Sequence, residues 1–229
     1  MGRTRGEARP LIAPLCAVLI VAALLVFLRA HSFYAYQKAR AEAKSLEASF
    51  PQLEADLRAA ARFPGHPAAL AELGRICLER AFAEIQFGEA EKREAFLDRA
   101  RDALAGQIRA NPLDANSYYR LGVVYTLFSY PLKTYADRGW PYIVRALELS
   151  PCDEFLNVNG LYLLLAQWDG LSEGVRAFVW ARLGDIAASN PGFLSKIGAQ
   201  WATNFGSADG LRGILSRNAE LWPRIQGLL

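Results

Sequence analysis

Hydrophobic residues follow two patterns along this chain. From Leu11 to Leu28 they form an uncharged run of 18 residues; beyond Phe50 they recur at helical spacing between proline turns. As a helix the first run is roughly 27 Å long, close to the hydrocarbon thickness of a bilayer. Twelve of its residues are Leu, Ile, Val or Phe. At roughly −0.3 to −0.6 kcal/mol for each central position, they favour insertion. A transmembrane helix is predicted over residues 11–30. A cleaved signal peptide is the alternative, but its apolar stretch is usually shorter and ends in a small-x-small site, whereas this run ends in Phe27-Leu28-Arg29-Ala30-His31. A lipoprotein signal is excluded, because Cys16 follows Leu15 near the start of the run.

Basic residues flank the run on both sides. Arg3, Arg5 and Arg9 face only Glu7, whereas Arg29, Lys38, Arg40 and Lys44 are diluted by Glu42 and Glu47. The positive-inside rule therefore places residues 1–10 in the cytoplasm and the body outside, which in a bacterium is the periplasm. Arginine outnumbers lysine about four to one, which is compatible with a GC-rich bacterial genome.

The second pattern is periodic. Pro112, Pro151 and Pro191 close helical stretches at a spacing of about 40 residues. Tyr118, Leu121, Gly122 and Tyr125 share one helix face, with Gly122 the point of closest approach for a neighbour. After a turn around Pro131 to Gly139, Tyr142, Ile143, Ala146 and Leu149 line a second helix. Leu70, Leu73, Gly74 and Cys77 repeat the first spacing, after Pro67 at a predicted helix start. Glu89 to Asp102 is strongly charged and predicts an enlarged, solvated turn, and Gln107 stands where a small residue is expected. In a third unit, Asp153 to Pro191, Asn159-Gly160 replaces Leu-Gly, and the leucines that follow predict a helix buried all round. Residues 31–65 read as a helical stalk with a half-repeat, broken near Ser49-Phe50-Pro51. Three short helices, Phe193 to Phe205, Ala208 to Leu215 and Leu221 to Leu229, would cap the array.

A bulky residue, Leu-Gly, an aromatic three positions on, a small residue in the second helix and a closing proline resemble the tetratricopeptide repeat. The fold expected is all-α: one transmembrane helix, then a tetratricopeptide-like solenoid of antiparallel helix pairs over residues 66–191, about three repeats, and a helical cap over 192–229. The stretches GDIAASNPGFL and GSADGLRGIL are also similar to the helical tails of bacterial O-antigen ligase and polysaccharide polymerase proteins. That similarity implies a place beside cell-envelope polysaccharide synthesis.

Candidate chemistry adds little to this picture. His31 and His66 stand far apart with no cysteine or carboxylate at ligand spacing, so no metal site is expected. There is no glycine-rich phosphate loop, no nucleophile elbow and no catalytic constellation, and neither cofactor nor enzymatic activity is expected. A net charge of +3 with acids and bases interspersed leaves no nucleic-acid footprint. Cys16, Cys77 and Cys152 form no disulfide framework and read as separate thiols, although a bridge between Cys77 and Cys152 is conceivable. Trp140, Trp168, Trp180, Trp201 and Trp222 read as packing residues.

The repeat resemblance implies a concave groove lined by the first helix of each pair. It places Ala68, Ala71, Arg75 and Leu78 there from the first unit, and Asn116, Tyr119, Val123 and Thr126 from the second. From the third it adds Glu154, Asn157 and Leu161. Arg75, Leu78, Asn116, Tyr119, Val123 and Asn157 are the expected partner-binding residues. Covering surface is the alternative role for Arg75 and Tyr119. The carboxylate clamp of chaperone-binding repeats is excluded, because its places hold Ala71 and Arg75, then Tyr119 and Val123. The expected function is a membrane-anchored scaffold that docks integral membrane or periplasmic proteins. The alternatives are a periplasmic assembly factor similar to the anchored repeat subunits of cytochrome c maturation, and an enzyme using Glu154.

Overall fold

The computed structural model describes residues 9–42, 50–62, 66, 68–87, 89–128 and 136–228. Every regular element among them is helical. Pro67, residues 1–8, and the stretches 63–65 and 129–135, where the sequence predicts turns, lie outside the described residues. The chain divides into two compact units, Met1–Leu73 and Gly74–Leu229.

The first unit is built on α1 (Arg9–Glu42) and α2 (Phe50–Ala61). α1 is long and apolar enough to cross a membrane. Its 34 residues rise about 50 Å, more than a bilayer's hydrocarbon core, so one continuous helix runs past Leu28 into the segment read as a stalk. Val18 to Phe27 supply side chains such as Val18, Leu19, Ile20, Val26 and Phe27 that lie on the surface. The buried residues of α1 come later, at Ser32, Tyr36 and Ala39, and those of α2 are Leu53, Leu57 and Ala60. Lys38 pairs with Asp56 at 3.4 Å, and Tyr36 stacks on His66 at 4.0 Å between centroids, so the two helices run antiparallel. The chain leaving α2 is tied back by His66 N–H, which donates to Ala60 O at 2.7 Å.

The second unit continues α3 (Ala69–Phe87) and adds α4 (Ala90–Ala110), α5 (Ala115–Phe128), α6 (Ala136–Leu149), α7 (Glu154–Leu165), α8 (Glu173–Ser189), α9 (Gly192–Phe205), α10 (Asp209–Leu215) and α11 (Trp222–Ile225). Neighbours in sequence pack on one another: α4 on α5, α5 on α6, α6 on α7. α7 also packs on α9, with α8 between them in sequence. The core runs through Ile143, Leu147, Leu156, Leu161, Leu164, Leu183 and Ile186 to Leu211 and Ile225.

Glu89 to Asp102 is not a turn. Ala90 to Ala110 form one helix of 21 residues. The charges that suggested a loop pair along its outer side, Lys92 with Glu89 at 2.8 Å and Arg101 with Asp98 at 2.8 Å. Leu97, Ala100, Leu104 and Gln107 form the buried stripe opposite. Gln107 is buried and donates from Nε2 to Asp114 Oδ2 at 3.1 Å, so an amide bracing the next turn fills the place of the small residue. Of the caps, Asp153 accepts from Leu156 N–H at 2.9 Å and Gly206, at φ 77°, ends α9 in the left-handed conformation.

Glycines set how closely the helices approach. A Cβ at Gly74 would lie 2.5 Å from Leu104 Cγ, and one at Gly122 would lie 2.5 Å from Ile143 Cγ1. At Gly139 it would meet the backbone oxygen of Gly122 at 2.6 Å, which cannot rotate away. Gly139→Ala is therefore expected to destabilise the protein by about 1–3 kcal/mol through overpacking, although helix propensity alone favours alanine by up to about 1 kcal/mol. Gly184, inside α8, has nothing within 4 Å; Gly184→Ala should instead gain up to about 1 kcal/mol. Denaturant midpoints of the two variants should move in opposite directions.

Candidate functional site

The residues expected to line a groove divide by burial. Leu78, Val123 and Asn157 are buried inside the chain. Arg75 is half-buried and paired with Glu79 one turn on. Asn116 is exposed. Tyr119 is half-buried and meets the Phe155 ring edge-on at 5.7 Å. Burial pushes the Tyr119 phenol up to about 12, against a smaller opposing effect of the Arg120 charge, so its hydroxyl stays protonated. Ala68, Ala71 and Thr126 are half-buried, and Leu161 is fully buried. Glu154 is exposed and ion-paired with Lys196.

Asn157 belongs to a structural node. Its amide donates to Pro151 O at 3.1 Å and Asp153 O at 2.6 Å, and its oxygen accepts from Arg182 Nε at 2.9 Å. A second Arg182 nitrogen also donates to Pro151 O. One buried amide thus ties the turn before α7 to α8.

Contacts link residues of α5, α7 and α9 at the surface. Asn116 and Tyr119 lie one turn apart on α5, Phe155 and Asn159 on α7, and Lys196 and Gln200 on α9. Tyr119 touches Phe155, Gln200 Nε2 donates to Asn159 Oδ1 at 3.2 Å, and Lys196 pairs with Glu154. These contacts join three helices into a continuous row. Phe155 is 58% exposed, and Leu113, in the turn before α5, is 73% exposed. The row therefore offers the exposed Phe155 ring near the Asn159–Gln200 amide pair, with the Glu154–Lys196 ion pair as a further member.

A second concavity, of about 560 Å³, opens where α6, α9 and α10 meet the 3-10 turn Trp168–Gly170. Trp140, Trp168, Trp201 and Phe205 form its walls, and Asp137, Asp169 and Arg217 its rim. Arg217 bridges to Asp169 at 3.2 Å. The Trp140 indole N–H donates to Gln167 Oε1 at 3.3 Å, and Trp201 lies 4.7 Å from Phe205 between centroids. Arg176 fixes the turn by donating to Trp168 O at 3.2 Å and Asp169 O at 2.9 Å. The cleft can hold a flat apolar group carrying a polar end. Its residues come from four segments spread over 80 positions, and only the recurrence of tryptophan hinted at it in the sequence.

Cys77 is buried and Cys152 exposed, with no disulfide between them. Among the described residues no group of three or more His, Cys, Asp or Glu side chains could hold a metal ion. No protein-family model, no characterised protein and no solved structure matches the chain.

Replacing Asn157 by alanine would remove the side-chain donor to Pro151 O and Asp153 O, which keep Arg182 and the backbone N–H of residue 157 as donors, and would leave Arg182 Nε without its buried amide acceptor. Asn157→Ala should cost about 2–3 kcal/mol, whereas Asn116→Ala, on the exposed part of the same expected groove, should stay within about 0.5 kcal/mol. Urea unfolding of both variants measures the contrast.

Proposed function

We propose that this chain is a membrane-anchored helical scaffold that docks a partner protein in a cell-envelope assembly. α1 holds it in the bilayer with the N-terminus in the cytoplasm, and the helical body works on the periplasmic side as a tetratricopeptide-like array. The observation that carries the proposal is the row across α5, α7 and α9. It exposes Phe155, in edge contact with Tyr119, on the helix whose Asn159 amide pairs with that of Gln200, a surface suited to an apolar anchor flanked by hydrogen-bonding groups. The unburied apolar side chains of α1 support the anchor, and Arg3, Arg5 and Arg9 support its direction. The resemblance of the last third, Asn190 to Leu229, to the helical tails of O-antigen ligase and polysaccharide polymerase proteins suggests envelope polysaccharide synthesis or export as the setting.

Two outcomes are expected. Full-length protein purified in gentle detergent should retain integral membrane proteins in fixed ratio, and Phe155→Asp should lower their recovery about tenfold or more, as for loss of a central apolar anchor, while circular dichroism stays unchanged. Equal recovery by the variant would remove the row from the interface, and varied substoichiometric clients would favour an assembly factor. For topology, Cys152 is the exposed thiol of the body and Cys77 is buried. A membrane-impermeant maleimide should label Cys152 in intact spheroplasts; labelling only after lysis would reverse the orientation.

A further inference from the structure

A second site lies in the first unit, at the end of the apolar part of α1. Val26, Arg29, Ala30 and Phe33 fall on one helix face at i, i+3, i+4 and i+7. Together with His66 they line an open cleft of about 420 Å³. Arg29 is the first charged residue after the run ending at Leu28. If α1 spans the bilayer as proposed above, this cleft sits at the depth where lipid headgroups begin.

The cleft's polar groups are all donors. Arg29 is always cationic, and it has no carboxylate partner among the described residues. No acidic side chain lines the cleft. The His66 ring accepts the Ala68 N–H at Nδ1, at 3.3 Å, so its own proton sits on Nε2, which has no acceptor among the described residues. Stacking on Tyr36 at 4.0 Å, 9° from coplanar, and tilted contact with Phe33 at 5.6 Å hold the imidazole in place. Burial, and then the Arg29 charge, lower its pKa. A held imidazole N–H and an exposed guanidinium thus line a space open to an anion, and beside them Val26, Ala30 and Phe33 offer an apolar wall.

We propose that this cleft binds the phosphate of an anionic phospholipid between the Arg29 guanidinium and His66 Nε2–H, with an acyl chain along Val26, Ala30 and Phe33. The lipid would pin the turn after α2 to α1 at the membrane surface. Basic pockets against transmembrane helices take anionic headgroups by the same chemistry. A free phosphate would satisfy the donors but leave the apolar wall bare.

The test is native mass spectrometry of the full-length protein in detergent, titrated with dihexanoyl phosphatidylglycerol, dihexanoyl phosphatidylcholine or inorganic phosphate. The proposal expects one saturable phosphatidylglycerol adduct and only background phosphatidylcholine. Arg29→Gln should weaken the adduct about five- to tenfold, and so should His66→Leu. Arg29→Lys, which keeps the charge without the guanidinium fork, should fall between and carries the test if the His66 variant loosens the turn. Arg40→Gln, exposed on the same helix outside the cleft, should bind as wild type. Equal retention of the two lipids, wild-type affinity in Arg29→Gln, or an equal loss in Arg40→Gln would overturn the site. Displacement of the lipid by equimolar inorganic phosphate would overturn the lipid in favour of free phosphate. Carbonate extraction of native membranes separates the two proposals. Protein that washes out removes both anchor and lipid site, whereas protein that stays without phosphatidylglycerol preference removes the lipid site alone.

Discussion

The body depends on recesses that glycines leave in α3, α5 and α7. Gly74 receives Leu104, Gly122 receives Ile143, and Gly160 faces Leu147 and Ile143, where a Cβ would stand 3.1 and 3.4 Å from them. Ile143 is therefore seated between two glycines, one on α5 and one on α7, and α6 is gripped from both sides. Dispersion falls off within about an ångström of optimal contact, so a side chain at Gly74 or Gly122 would displace Leu104 or Ile143 and loosen the packing there, whereas at Gly160 the leucine methyl need give only slightly. The same seating fixes the spacing of α5 and α7, and hence of Tyr119 and Phe155.

A polar constraint works beside this apolar one. Buried polar groups are tolerated when they are hydrogen-bonded, and Asn157 meets that condition with both ends of its amide. Its partners lie in the turn before α7 and on α8, so the turn is held from two directions. Phe155 stands two residues earlier on the same first turn. Its exposed ring is thus carried on a braced element and costs little further entropy to present to a partner.

Much of the helical order could be read from the chain, because its signals are local. The run Leu11 to Leu28, the individual proline turns and the Leu-Gly steps are each signalled by residues near in sequence. α4 was misread because its composition was weighed ahead of its period: the charges are many, but Leu97, Ala100 and Leu104 keep a helical face. Asn157 fits a groove position by register alone, and its real role depends on Arg182, 25 residues away. The tryptophan cleft and the Arg29–His66 cleft escaped for the same reason. Each joins residues that no spacing connects, and His66 meets α1 only because its backbone N–H is tied to Ala60 at the end of α2.

Asn159 illustrates what a polar residue before a recess glycine can do. Leu73 and Leu121, which precede the other two recess glycines, are buried, whereas Asn159 is half-buried. Its amide donates to Phe155 O at 2.8 Å and accepts from Gln200 at 3.2 Å. A leucine there would leave the Gln200 amide unmatched and break the row that links α7 to α9. Val158, Leu161, Leu164 and Leu165 already supply the apolar packing of α7, so the helix keeps its core without a leucine at 159. The position is thereby released to be polar, and its polarity extends the α5–α7 face onto α9.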